Sequence, residues 1–272
     1  MAEYEYWQKQ GLRPLFGEID MERPEQKRLA GKMLIVGGNK GAFFTVASAM
    51  NEAEKLGVGE VRVLLPASLR GHIPTAPEVY FADTEASGAF GKKALPMLFE
   101  RAAWADVVVL IGDMGKNAET TVALAELMQK CEKPIFVTRD AVEVVTPDVM
   151  NWGTLREQET VLLLTLPQLQ KLLRTLYYPK MITLSMPTNQ LIETLHKFTI
   201  SYPQLGLATY HNEQIIVAAG GTVISEALRD TNFTPISLWD GMLMVRMATL
   251  RLWNATADLQ KALASAILMQ LI

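Results

Sequence analysis

The sequence predicts an α/β protein with a mainly parallel central sheet and helices on both faces. Three observations carry that expectation. Short apolar runs rich in β-branched residues, at 33–36, 61–65, 106–111 and 134–137, read as strands buried on both sides. Segments with apolar residues at helical spacing separate them, and strands alternating with helices over this length make a parallel sheet. Turns also follow the strands, at Gly37-Gly38-Asn39-Lys40-Gly41, Gly112-Asp113-Met114-Gly115 and Thr138-Arg139-Asp140. Ligands of such sheets bind beyond the carboxyl ends of the strands, so these three turns should converge on one edge.

Taken in order, residues 1–31 are charged and irregular, with Pro14 and Pro24, and read as an arm lying across the surface. Residues 32–272 read as one domain. Met33-Leu34-Ile35-Val36 is the first strand, and its glycine turn delivers the chain into a helix over 43–55. That helix carries Val46, Ala47, Ala49, Met50 and Ala53, a small-residue stripe suited to close packing on a sheet, and Gly57 and Gly59 end it. A second strand over 61–65 stops at Pro66 and completes a β-α-β unit. Residues 67–91 should be loops and short strands. A helix over 95–103, a strand over 106–111, a helix over 119–130 and a strand over 134–137 follow. The second half predicts a strand at 161–165, a helix at 168–176, a strand at 181–184 and a helix at 189–199. A hairpin follows, with strands 207–210 and 214–219 about a turn at His211-Asn212-Glu213. Helices over 240–253 and 258–272 close the chain, the last nearly all apolar in its final turns from Ala262 to Ile272. Those turns are either buried or a contact surface in a homo-oligomer.

Composition narrows the function. At 272 residues and 49% hydrophobic, the chain can bury a sizeable core, and no Pro/Gly/Ser-rich linker or fixed-period repeat divides it. A formal charge of −3 with dispersed basic residues leaves no footprint for nonspecific nucleic-acid binding. The lone Cys131 has no partner for a disulfide or a metal site, which fits a reduced, cytoplasmic setting. The N-terminus lacks the basic and apolar regions of a signal peptide, and the longest apolar runs, such as 107–111, are too short to cross a membrane. His72, His196 and His211 lie on different elements without ligand spacing, so neither a zinc site nor a Ser-His-Asp triad is expected. The fourteen methionines read as core filling.

The candidate site residues each have two readings. Gly37, Gly38 and Gly41 make a turn where bare backbone and a helix N-terminus can meet a phosphate, yet they match neither G-x-G-x-x-G nor the Walker spacing. Lys40 either touches a phosphate or is solvated. Asn39 either meets ligand or caps the helix. Asp113, beside Gly112, either binds magnesium or bonds its own turn, and Asp140 either orients water or metal or caps the next segment. Asp240, directly before Gly241, is an ordinary N-cap residue as well as a candidate base.

In their joint order these landmarks resemble the NAD(P)H-hydrate dehydratases, a ribokinase-like family that repairs hydrated nicotinamide cofactors with ADP or ATP. Leu34-Ile35-Val36-Gly37-Gly38 resembles the family's opening strand and turn. Gly57-Val58-Gly59 and Pro66 fall at its G-A-G helix end and strand-closing proline, and Pro77-Glu78 resembles its P-E pair. Ala105-Asp106 through Gly115 resembles its A-D-strand-G-P-G-L-G segment with one residue missing, Asp140-Ala141 the end of its D-A-D-A, and Thr165 with Pro167 a worn T-P-H-P. The match spans roughly residues 24–260.

The resemblance implies a three-layer ribokinase-like fold, an adenine nucleotide (ADP or ATP, with Mg2+ if ATP is used) and NADH or NADPH hydrate as ligands. It also implies that glycine turns hold the phosphates, while an aspartate in a G-x-G-D segment removes a proton beside N–H groups that stabilise the phosphoryl group. The matching segment is Ser237-Leu238-Trp239-Asp240-Gly241. Asp240 is present; the glycines before it are not. Side chains at Leu238 and Trp239 restrict the turn that would aim several N–H groups at one point. Loss of one such donor typically costs about 3 to 4 kcal/mol of transition-state stabilisation. Phe44 and Thr45 replace a second Gly-Ala, and Thr138 replaces the first aspartate of D-A-D-A. Two functions are therefore expected to compete: a weakened nucleotide-dependent dehydratase, and a non-catalytic relative that keeps the fold for nucleotide binding or assembly.

Overall fold

The structure is a computed structural model describing residues 4–11, 13–74, 76–115, 117–228 and 235–271. Its frame is a ten-stranded sheet in the order β1-β10-β9-β8-β7-β6-β5-β2-β3-β4. In chain order the strands are β1 (Trp7–Gln10), β2 (Lys32–Gly37), β3 (Glu60–Pro66), β4 (Val79–Ala82), β5 (Val107–Gly112), β6 (Ile135–Val137), β7 (Thr160–Leu164), β8 (Leu205–His211), β9 (Gln214–Ala219) and β10 (Thr222–Ala227). All neighbours run parallel except β9, which is antiparallel to both β8 and β10.

Strand β5 and all of β2 beyond Lys32 are apolar and buried because helices cover both faces. On one face lie α1 (Gly17–Met21) and α2 (Phe44–Leu56). On the other are α3 (Leu95–Trp104), α4 (Ala118–Lys130), α5 (Asp140–Val145), α6 (Val149–Leu155), α7 (Leu166–Thr175) and α8 (Thr188–Ser201). The chain then returns to the first face through α9 (Met242–Trp253) and α10 (Leu259–Leu271). Leu34, Leu110, Trp152 and Phe198 anchor one core layer, and Ile35, Val109, Met247 and Leu263 the other. No helix among the described residues is long and apolar enough to cross a membrane.

Most predicted strands and helices form where expected, and three readings change. Residues 181–184 are not a strand: Ile182 N–H bonds the Gln170 side chain and Met186 N–H the Thr183 carbonyl, so their backbone is used locally. Part of the N-terminal arm is sheet, since β1 pairs with β10, Trp7 Nε1 donates to Ser225 Oγ at 2.9 Å, and Ile19 is buried. The predicted helix from 240 begins at Met242, preceded by a 3-10 turn over Pro235–Asp240. Within the last helix, Ala262, Leu263, Ala264, Ala266 and Ile267 are buried in their own chain, the first of the two options for that part of the stretch, and Leu268 and Met269 are half-buried. Ile272 lies outside the described residues.

Candidate functional site

The strand order reverses between β2 and β5: β3 and β4 continue to one side, β6, β7 and β8 to the other. Such a switch point opens a crevice beyond the carboxyl ends of the strands, and the predicted glycine turns both lie there. Gly37 ends β2 against Gly112, where a Cβ would meet the Gly112 carbonyl at 2.6 Å, so only glycine permits the approach. Gly38 N–H donates to the Gly112 carbonyl at 2.9 Å and joins the two turns.

Asn39 extends that junction. Its Oδ1 accepts from Gly41 N–H at 2.7 Å and its Nδ2 donates to the Asp113 carbonyl at 2.6 Å, so both ends of the amide are spent on the frame. Lys40 sits exposed at the tip of the turn, with its Cβ beside Gly88. Gly115 leaves the second turn toward α4, whose first N–H groups are met by Asn117, an N-cap absent from the sequence expectations.

Asp140 resolves to a clamp. Its Oδ1 accepts from Asp113 N–H at 2.6 Å and its Oδ2 from Met114 N–H at 3.0 Å, while it occupies the first turn of α5, where the helix dipole favours a carboxylate. The fit is tight, because a Cβ on Gly112 would come within 2.5 Å of Asp140 Oδ1. Gly112 and Asp113 are in left-handed backbone at φ +98 and +58.

The next residue back, Arg139, was missed by sequence reasoning. Its Nη2 pairs with Asp113 Oδ1 at 2.5 Å, its Nη1 donates to the Trp239 carbonyl, and Gln168 Nε2 donates to its own carbonyl at 2.9 Å. It adopts φ 58, ψ −138, a conformation that costs a side-chain-bearing residue on the order of 1–3 kcal/mol. A signal was present: a charged residue stands where the family's D-A-D-A has alanine.

Asp240 completes the rim. Gly241 packs against β5 so closely that a Cβ there would fall 2.7 Å from the Ile111 side chain, and 3.5 Å from Thr45 at the start of α2. Asp240 therefore stands beside the Gly112 turn. Its Oδ1 accepts from Met242 N–H at 2.7 Å, the capping contact for α9, and its other oxygen has no hydrogen-bond partner among the described residues. Desolvation by the surrounding protein raises its carboxyl above the usual carboxylate range, with Glu52 adding to the rise; Met242 N–H, Arg246 and Arg139 oppose it. Glu52 of α2 and Arg246 of α9 are themselves paired at 2.6 Å.

Beside this rim a cavity of about 320 Å³ opens over the ends of β6, β7 and β8. Thr138, Leu163, Tyr210, His211 and Leu184 line it, and Trp239 forms part of its wall. Thr165 and Pro167, the worn T-P pair, reach it from the start of α7, where Thr165 and Gln168 form a reciprocal capping box. His211 Nε2 is held by the Met186 carbonyl at 2.7 Å. The lining is mostly apolar with a few polar groups, the character of a site for a flat ring.

The residues present do not fit a dedicated metal cage. No cluster of three or more His, Cys, Asp or Glu side chains suited to a metal occurs among the described residues, and the Asp113 and Asp140 carboxylates are already engaged by Arg139 and by backbone N–H groups. A magnesium ion here would be carried by the phosphates of a nucleotide.

Comparison with known proteins agrees with this architecture. No family model matches the chain. A segment of 130 residues is 28% identical to the bifunctional NAD(P)H-hydrate repair enzyme Nnr of Moorella thermoacetica, a match covering 47% of this chain and 24% of that protein. A ribokinase-like superfamily protein from Enterococcus faecalis superposes with a TM-score of 0.70 at 13% identity over 99% of this chain and 87% of the other. The ADP/ATP-dependent NAD(P)H-hydrate dehydratase of Bacillus subtilis, crystallised with ATP and Mg2+, gives a TM-score of 0.56 at 13% identity over 93% and 86%. The fold is thus ribokinase-like.

Proposed function

We propose that this chain, a divergent relative of the NAD(P)H-hydrate repair enzymes, is a nucleotide-dependent dehydratase acting on hydrated NADH or NADPH in a reducing, cytoplasmic setting. One observation carries the reading most: Asp240, one of whose carboxylate oxygens has no hydrogen-bond partner among the described residues, stands at the same rim as the paired glycine turns of the switch point. In this reading Gly37, Gly38, Lys40, Gly112, Gly115 and Gly241 surround the phosphates, and the apolar cavity walled by Trp239 receives a ring of one ligand. Asp113, Asp140 and Asn39 build the rim and act as frame. Asp240 takes the proton of the hydrate's hydroxyl as that oxygen attacks the terminal phosphorus of the nucleotide; the bond from that phosphorus to its bridging oxygen breaks and the shortened nucleotide leaves. The new C–O–phosphate bond then breaks with its electron pair going to phosphate, and the ring regains its double bond as the adjacent carbon gives up a proton to solvent.

Loss of the glycines favours a second reading. Leu238 is buried and Trp239 half-buried in the 3-10 turn, so the backbone there is not bare, and the fold then serves nucleotide binding or assembly without turnover. The test is recovery of reduced-nicotinamide absorbance from NADH hydrate. The full chain should restore it with ADP or ATP, and Asp240→Asn should lose the rate by at least about a hundredfold while still binding nucleotide by calorimetry. Equal rates for both proteins would overturn the dehydratase reading.

A further inference from the structure

We propose that Arg139 is a positioning residue that replaces the absent glycine-rich backbone: it holds the turn before Asp240 against the switch-point turns and places positive charge beside the carboxylate. This rests on the reading of Asp240 as the base. The guanidinium spans the rim. One nitrogen meets Asp113 of the Gly112 turn at 2.5 Å, and another meets the carbonyl of the peptide bond that joins Trp239 to Asp240. Nε is buried with no partner among the described residues. The main chain of Arg139 is fixed on both sides as well: Thr138 N–H donates to the Leu110 carbonyl at 3.1 Å, and Gln168 holds the Arg139 carbonyl. A strained backbone persists only where its surroundings determine it, and strain of this kind gathers where geometry serves a site.

The fork geometry matters because a planar guanidinium can fix two partners in one orientation, which a lysine cannot. Groups facing Asp240 come from each neighbouring element: Arg139 ahead of α5, Glu52 on α2, Arg246 on α9, with Asp113 balancing Arg139 from the β5 turn. Glu52 and Arg246 are paired with one another and Arg139 with Asp113, so removing the guanidinium leaves the Asp113 carboxylate uncompensated and takes one positive charge from the surroundings of Asp240.

The test uses the full chain as wild type, Arg139→Gly, Arg139→Gln and Arg139→Lys. Glycine adopts positive φ without strain, so Arg139→Gly removes the guanidinium from a relaxed backbone. The Asp240 carboxyl, assigned by its absence in Asp240→Asn, is titrated by 13C NMR. Its midpoint should rise by about half a unit or more in Arg139→Gly and Arg139→Gln and stay near wild type in Arg139→Lys. In the hydrate assay kcat should fall about tenfold or more in the first two, with the acid limb of the pH profile moving to higher pH and KM for nucleotide changing less. An Asp240 midpoint unmoved in folded Arg139→Gly overturns the proposal while leaving the dehydratase reading intact. A midpoint that shifts in a chain whose wild type repairs no hydrate upholds Arg139's hold on Asp240 and sinks the dehydratase reading instead.

Discussion

At Asp240 the folded state works against ionisation. Its carboxyl is raised in the folded state, so its contribution to stability is present below the unfolded value and lost as pH rises through the folded one. An ionised Asp240 is thus a cost at neutral pH. Asp240→Asn, which can still accept the Met242 N–H, should raise the melting temperature at pH 7, and the gain should vanish below the carboxylate range. Asp140 is the opposite case. Its two backbone partners would be orphaned in Asp140→Ala, and urea unfolding should show a loss of about 2 to 4 kcal/mol. Both aspartates were visible in the sequence with two roles open, because a carboxylate at a helix start suits a cap as well as a place in a site. Arg139 stood out only as a charged residue in an alanine position of the resemblance; its role as a link was not legible, because its partners lie 26 and 100 positions away.

In the proposed dehydratase, turnover would depend on the 3-10 turn over Pro235–Asp240. If side chains there restrict the N–H groups that would face a phosphoryl oxygen, Trp239→Gly should raise kcat about tenfold, and KM should rise with it because the indole also walls the cavity. Steady-state kinetics on the variant checks both. Elements with an internal signature were readable: β2, β3, β5 and β6 as apolar runs, α2 and α4 by helical spacing. β10 had a usable signal that was passed over, since Gly220-Gly221 after β9 is a two-residue hairpin turn. β1 had none, because its partner strand is some 218 residues away. Residues 181–184 misled as a short apolar run: a strand needs a neighbour, and β7 already pairs with β6 and β8.

At the scale of the whole molecule, topology does the assembling. Reversing the strand order between β2 and β5 brings turns from distant parts of the chain to one crevice, and the return of α9 to the opposite face delivers Asp240 to the same rim. The sheet and its layers followed from periodicity, whereas the adjacency of Asp240 to the Gly112 turn came only from the family resemblance until the fold supplied it. The most direct measurement is the rate of NADH-hydrate repair by the full chain as ADP or ATP is added. The account predicts no repair above the spontaneous rate without nucleotide and a saturable increase with it. A rate that stays at the spontaneous level at every nucleotide concentration would contradict it.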